Sequence, residues 1–146
     1  MHRYIALLLL TVVPPLGTDP QKGSDAKGDL KALQGVWLMT AVESDGTKVT
    51  PNDAKLVVKD NTYTLKVGTT LQEGTVTIDP GKSPKSMDWA VTSGPDKGLT
   101  YRGIYKFVDD ELLVCFPKDT KAERPTEISG NAGNGQTLTV LKRKKD

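Results

Sequence analysis

The stretch Leu33-Gln-Gly-Val-Trp-Leu-Met-Thr-Ala-Val-Glu-Ser-Asp-Gly46 decides the fold of this chain. From Gly35 it continues without a further glycine or a proline until Asp45-Gly46, a pair that is typical of tight turns. Trp37 is the first large aromatic residue after a polar segment. We interpret the stretch as the first strand of an antiparallel sheet that closes on itself, with Trp37 filling one end of the interior.

The segments that follow alternate apolar and polar residues with the period of two that is typical of half-buried strands. Asp60-Asn61 and Asp109-Asp110 separate such segments and predict tight hairpins, because these residues tolerate positive φ. The residues around Gly103 are apolar on both faces, which predicts a strand that is covered on each side or a bulge. The residues that we expect to face the interior include Leu56, Val58, Tyr63, Leu65, Val67, Val76, Ile78, Met87, Trp89, Val91, Leu138 and Val140.

The pattern predicts an all-β domain of about eight to ten strands with turn signals every 8–12 residues. The one helix expected is a single turn over residues 30–33, capped by Asp29. Sequential hairpins favour an antiparallel up-and-down β-barrel, with a β-sandwich as the alternative. Pairing of the first strand with the last strand, 137–143, separates the two folds.

The N-terminal residues predict export. A short positively charged beginning with Arg3 precedes an apolar run over residues 5–13, which Pro14-Pro15 ends. The run is shorter than the ~20 residues that span a bilayer, so it is typical of a secretory signal peptide. We therefore expect a signal peptide over 1–18, a polar linker over 19–28 and the barrel domain over 29–146, with no transmembrane segment in the mature protein.

Composition excludes several classes of function. The formal net charge is +2 across 146 residues, which argues against a nucleic-acid-binding protein. The single histidine, His2, lies in the predicted signal peptide, so the mature chain would lack the imidazole that Ser-His-Asp sites, Cys-His sites and histidine-based zinc sites require. We expect no enzyme, no metal site and no cofactor. Cys115 is the only cysteine, and its apolar neighbours predict a buried, inert thiol.

Five blocks of sequence together resemble one protein family. The family comprises short exported domains of uncharacterised function from planctomycete-type bacteria, and the similarity covers residues 29–143. The resemblance implies a lipocalin-like barrel, and Gly35-x-Trp37 near the start of the first strand agrees with it. The blocks are Leu33-Gln-Gly-Val-Trp37, Gly103-Ile-Tyr105, Glu111-Leu-Leu-Val-Cys115, Glu123-Arg-Pro-Thr-Glu127 and Leu138-Thr-Val-Leu-Lys-Arg143.

The resemblance to true lipocalins is partial. Their second motif, Thr-Asp-Tyr, is absent from this chain. The resemblance also implies a late arginine that packs across the tryptophan of the first strand, and either Arg124 or Arg143 fits that position. The resemblance carries over no catalytic or binding residues.

The candidate binding residues come from the expected interior. Trp37, Tyr63, Trp89 and Tyr105 would share it, either as packed core or as the lining of a small-ligand cavity. Arg102 or Arg124 would lie at a mouth, although Arg124 could instead pack on Trp37 or pair with Glu127.

Two functions follow from these residues. The first is an exported binding module that holds a small apolar or amphipathic ligand in its barrel. The second is a non-catalytic scaffold of the cell envelope with a barrel filled by side chains. The sequence predicts neither the identity of a ligand nor an oligomeric state.

Overall fold

The computed structural model describes residues 21–145, with side chains from residue 27 onward. The predicted signal peptide lies outside these residues. The described chain forms one helix and nine strands: α1 (Gln21–Leu33), β1 (Gly35–Ser44), β2 (Thr47–Val49), β3 (Ala54–Lys59), β4 (Thr62–Val67), β5 (Thr70–Asp79), β6 (Ser86–Ser93), β7 (Thr100–Val108), β8 (Glu111–Pro117) and β9 (Gln136–Arg143).

The sheet closes into a barrel. Strands β3 to β9 pair antiparallel in chain order, and β9 pairs with β1, which in turn pairs with β3. These eight strands form an up-and-down barrel with lipocalin-like topology, so the predicted fold is confirmed and the sandwich is excluded. The short strand β2 pairs with the end of β1, through Val42 to Ser44, and extends the wall beyond β3.

The predicted hairpins form where aspartates adopt the left-handed backbone conformation. Asp60 between β3 and β4 has φ 55°, and Asp109 between β7 and β8 has φ 54°. Asp45, after β1, has φ 53° and precedes Gly46 at φ 75°. Aspartate and glycine tolerate this region better than other residues, which is why the hairpins were predictable from short sequence signals.

The alternation places the core as predicted in β3, β5 and β6, where Leu56, Val58, Val76, Met87 and Trp89 are buried. The prediction for β9 is wrong. Thr139 and Leu141 face the interior opposite Val114 and Leu112, so Leu138 and Val140 face outward. Strand β1 bulges at Thr40, because Met39 pairs with Leu141 and Ala41 pairs with the next residue, Val140.

An outer layer explains the apolar residues on both faces of β7 and β8. Cys115 is fully buried on the outside of the barrel, where its Sγ lies 3.5 Å from the carbonyl oxygen of Ser129. The connection between β8 and β9, residues 118–135, passes over this face, and the carbonyl of Gly130 accepts a hydrogen bond from the Gly46 amide. This connection contains no strand.

The helix α1 is longer than the single turn predicted. Its 13 residues begin at Gln21, within the segment predicted as a polar linker. Apolar periodicity is absent from residues 21–28, so the sequence carried no signal for this part of the helix. Its last turn packs Leu30 and Leu33 against the core at one end of the barrel. Within residues 21–145 no helix has the length and apolar character that crossing a bilayer requires.

Candidate functional site

One end of the barrel, here called the closed end, is filled by α1 and by side chains of β1 and β9. The indole Nε1 of Trp37 donates to the carbonyl of Leu33 at 2.9 Å. The guanidinium of Arg143 lies over the same indole, with Cζ 4.3 Å from the ring centroid, and donates to the carbonyl of Gln34 at 2.7 Å. The late arginine implied by the lipocalin resemblance is therefore Arg143 and not Arg124.

A partly buried polar contact connects α1 to the strands at the closed end. The hydroxyl of Tyr105 donates to Oδ2 of Asp29 at 2.7 Å, and Nζ of Lys85 lies 3.0 Å from the same oxygen. Burial, together with the adjacent carboxylate, raises the pKa of Tyr105, so the phenol remains a neutral donor. Tyr105 and Trp37 therefore lie at the closed end of the barrel.

The opposite end of the barrel opens into a pocket of about 390 Å³, here called the mouth pocket. Strands β4 to β9 and the connections at their ends contribute its walls. The pocket is lined by Leu65, Gln72, Trp89, Asp96, Tyr101, Phe116, Pro117, Lys118, Thr137 and Thr139.

Aromatic rings form the inner part of the mouth pocket. The Trp89 ring lies between Tyr63 and Phe116, with centroid distances of 4.7 and 4.9 Å. Tyr101 meets Phe116 edge-on at 6.1 Å. Such tilted and edge-to-face arrangements are the favoured ones for aromatic pairs. The rings form a continuous apolar surface at the boundary between the filled half of the barrel and the open half.

Two strand glycines make room for these rings. A Cβ atom at Gly74 would lie 2.7 Å from Cε1 of Tyr63, and one at Gly103 would lie 2.5 Å from Cδ1 of Phe116. Both distances are shorter than a carbon–carbon contact allows, so each ring rests directly on the backbone of a glycine. The glycines therefore set the depth at which the aromatic surface lies.

Trp89 carries the one buried side-chain polar atom that lacks a hydrogen-bond partner among the described residues, its Nε1. The corresponding atom of Trp37 is bonded to Leu33. Nearby, Gln72 donates from Nε2 to the hydroxyl of Tyr63 at 2.9 Å. Most buried donors in folded proteins are paired, so the unpaired N–H of Trp89, a residue that lines the mouth pocket, needs an explanation.

Two pairs of polar residues lie at the rim. The hydroxyl of Tyr101 donates to Oδ2 of Asp96 at 2.6 Å, and burial with this hydrogen bond raises the pKa of Tyr101 to about 12. Lys118 donates to the carboxylate of Asp45, and that hydrogen bond lowers the pKa of Asp45. At neutral pH the rim therefore presents a neutral phenol, two carboxylates and one ammonium group.

The predicted candidate residues fall into three places. Trp89 lines the mouth pocket, and the buried Tyr63 packs against it. Trp37 and Tyr105 lie at the closed end. Arg102 follows Tyr101 in β7, so its side chain lies on the opposite, outer face of the strand, where it is exposed.

Arg124 lies in the outer layer and not at a mouth. It donates to Oδ1 of Asp88 at 2.6 Å and to the carbonyl of Gly103 at 2.8 Å, rather than packing on Trp37 or pairing with Glu127. The cation at the mouth is Lys118 instead, which sequence reasoning did not select.

Several pocket residues were missed for identifiable reasons. Tyr101 shares a strand face with Tyr105, so alternation alone could have selected it. Thr137 and Thr139 were missed because the apolar Leu138 and Val140 were expected to face inward. Asp96 and Lys118 lie in connecting segments that are far apart in the sequence. No sequence pattern places them in one pocket, because only closure of the barrel does so.

A second depression, of about 420 Å³, lies near the closed end between residues 82–85 and β7. Unlike the mouth pocket, it has no unpartnered buried polar atom among its described lining residues. Among residues with described side chains, no group of three or more His, Cys, Asp or Glu could hold a metal ion. The mouth pocket is thus the better candidate for a functional site.

Comparisons with protein-family models, with curated proteins and with solved structures gave no match to this chain. The barrel has lipocalin-like topology, and the resemblance to the exported bacterial family stays a prediction. Function is therefore inferred from the mouth pocket itself.

Proposed function

We propose that this protein binds a small amphipathic molecule in the mouth pocket. The unpartnered Nε1 of Trp89 carries the proposal. A buried donor without an acceptor costs about 1–3 kcal/mol of free energy, and a ligand oxygen or nitrogen that accepts from it would recover that cost. The ligand thus needs one hydrogen-bond acceptor next to an apolar body.

The size and lining of the pocket support this proposal. Its volume of about 390 Å³ lies near the lower end of the range of roughly 300–1,000 Å³ for small-molecule sites. Trp89, Tyr101 and Phe116 offer ring surfaces to the apolar body, while Gln72 and Thr139 offer polar groups. Because side chains fill the half of the barrel next to α1, the ligand occupies only the open half.

A binding role fits the rim better than a catalytic one. Its ionisable side chains are held by neighbours, Asp96 by Tyr101 and Lys118 by Asp45, and the only histidine of the sequence is His2. A general acid–base pair would need two groups of matched pKa facing one reacting atom. We propose that the protein is not an enzyme.

Export remains part of the proposal on the basis of the apolar run over residues 5–13. N-terminal sequencing of the protein recovered from the periplasm or the medium of an expressing bacterium tests it. A start near residue 18 supports export, and retention of Met1 on cytoplasmic protein contradicts it.

A titration with prodan, followed in ¹H–¹⁵N NMR spectra, tests the binding function. It compares the indole N–H signals of Trp37 and Trp89. Prodan is neutral, has a naphthalene body and carries a carbonyl acceptor. We expect saturating prodan to move the Trp89 indole signal downfield, because its N–H gains an acceptor. The Trp37 signal should stay in place, because its N–H already donates to Leu33. Assignment uses Trp89→Phe.

Prodan fluorescence measures the affinity. Thr139→Phe fills the pocket and should weaken prodan binding by at least about tenfold. Trp89→Phe removes the hydrogen-bond donor and should weaken prodan binding by about fivefold. Thr77→Phe is the matched control, because Thr77 is exposed on β5. Equal prodan affinity for the wild type and Thr139→Phe, or no prodan binding at all, would overturn the proposal.

A further inference from the structure

We infer that the mouth pocket selects organic cations, that is, an ammonium group attached to an aromatic or aliphatic body. This inference rests on the proposed function and adds the charge of the ligand to it. It depends on two features of the rim: a carboxylate whose charge is not compensated and aromatic rings that lie beside it.

The charges at the mouth pocket do not cancel. Asp96 and Lys118 are its ionisable lining residues with charge at neutral pH. Lys118 is paired with Asp45, which offsets its charge. Among residues with described side chains, no lysine or arginine nitrogen lies within 4.0 Å of an Asp96 oxygen. Counted together with Asp45 of the rim, the two carboxylates and one ammonium group leave a net charge of −1, which is that of Asp96.

The Asp96 carboxylate is placed to receive a cation. It lies in the connection between β6 and β7, is partly buried, and uses Oδ2 to accept the hydrogen bond from Tyr101. No hydrogen bond among residues with described side chains uses its Oδ1, so this oxygen can accept from an ammonium group. A partly buried charge is screened less by water and salt than one that is fully exposed, so its attraction for a ligand cation is correspondingly stronger.

The rings of the pocket act in the same direction. The face of an aromatic ring carries negative partial charge, and it attracts a cation that lies within about 6 Å of its centroid. Tyr101 connects the two features, because its hydroxyl holds Asp96 while its ring meets the ring of Phe116. An ammonium group at this point is attracted by both, whereas a carboxylate is repelled by both. The apolar body then extends toward Trp89.

Three compounds with one aromatic body test the inference by displacement of prodan: phenethylamine, phenethyl alcohol and phenylacetate at neutral pH. They carry positive, zero and negative charge. We expect the amine to bind about fivefold more tightly than the alcohol, and phenylacetate to bind more weakly than the alcohol. Raising the salt concentration should reduce the preference for the amine and leave the affinity of the alcohol unchanged.

Asp96→Asn isolates the carboxylate, because asparagine can still accept the hydrogen bond from Tyr101. We expect the preference for the amine over the alcohol to fall below about twofold. Asp53→Asn is the control, since Asp53 is an exposed aspartate at the same end outside the pocket lining, and it should keep the preference.

The outcomes separate the two proposals. If the alcohol displaces prodan as well as the amine does, or if Asp96→Asn keeps the preference, the inference is overturned and the binding function stands. If prodan and all three compounds fail to bind, both are overturned. Tighter binding of the amine that depends on Asp96 and not on Asp53 supports both.

Discussion

Arg143 and Trp37 lie directly opposite each other in the pairing of β1 with β9 that closes the barrel, and the guanidinium Cζ is 4.3 Å from the indole centroid. The same guanidinium donates to the carbonyls of Ala32 and Gln34 at the end of α1. One side chain thus connects the last strand, the first strand and the helix. The closed end depends on this contact.

Removal of this guanidinium should destabilise the fold. We expect Arg143→Ala to lower the free energy of unfolding by about 2 kcal/mol, because it removes a cation–π contact and leaves helix-end carbonyls without their donor. Arg143→Lys should lose about 1 kcal/mol, since lysine lacks the planar fork. Urea unfolding followed by circular dichroism measures both. Lys144→Ala, at an exposed neighbour, is the control, and an equal loss in that variant would contradict the assignment.

Two glycine-to-alanine substitutions should have opposite effects on stability. Gly74→Ala places a Cβ against the ring of Tyr63 and the neighbouring strand, and should cost about 2–3 kcal/mol through overpacking. Gly28→Ala in α1 meets nothing within 4 Å and should stabilise the protein by about 0.5–1 kcal/mol, because glycine is a poor helix former. Thermal unfolding of both variants checks the contrast. Equal effects of the two substitutions would mean that Tyr63 does not rest on Gly74.

Deprotonation of Tyr101 should lower the free energy of unfolding in alkaline solution. Its pKa is raised to about 12 in the folded protein, from an ordinary value near 10 in the unfolded chain. Below about pH 10 both states keep the proton, and between about pH 10 and 12 only the folded state does, so stability decreases as the pH rises through this window. Across this pH window, the free energy of unfolding should decrease less steeply for Tyr101→Phe than for the wild type. Parallel curves would contradict the raised pKa.

Cys115 should be unreactive in the folded protein. Its thiol is fully buried under residues 127–129, and burial raises its pKa, so the reactive thiolate is scarce. We expect iodoacetamide to modify native protein at least about a hundredfold more slowly than urea-unfolded protein, as followed by mass spectrometry. Ser93→Cys adds an exposed thiol as the reactive control. Equal rates at the two positions would show that the outer layer does not cover Cys115.

The sequence predicted those parts of the molecule that depend on near neighbours in the chain. The hairpins at Asp60 and Asp109 follow from backbone preferences of single residues. The alternation in β3 follows from strand geometry, because its outward face carries the exposed Lys55 and Lys59. For the candidate site, this reasoning placed Tyr63 and Trp89 correctly in the interior.

The errors arise where a second layer covers the barrel. Alternation reports which residues are buried, and it does not report on which side of the sheet they lie. Leu138 pairs with Cys115, whose outer face residues 127–129 cover, so apolar residues are favourable there on the outside as well. Thr139 then faces the mouth pocket although it is polar. Arg102 and Arg124 were predicted at a mouth for the same reason: the sequence does not show on which side of the sheet a residue lies.

By itself, then, the sequence determined the strands, most of their turns and the burial of Trp37, because each depends on local backbone geometry and on the free energy of removing apolar side chains from water. Only the tertiary structure decided which end of the barrel is open, that Arg143 covers Trp37, and that Asp96 and Lys118 line one pocket. These relationships join residues that are far apart in the chain. They are fixed by the register in which β1 and β9 close the sheet, which short-range patterns do not encode.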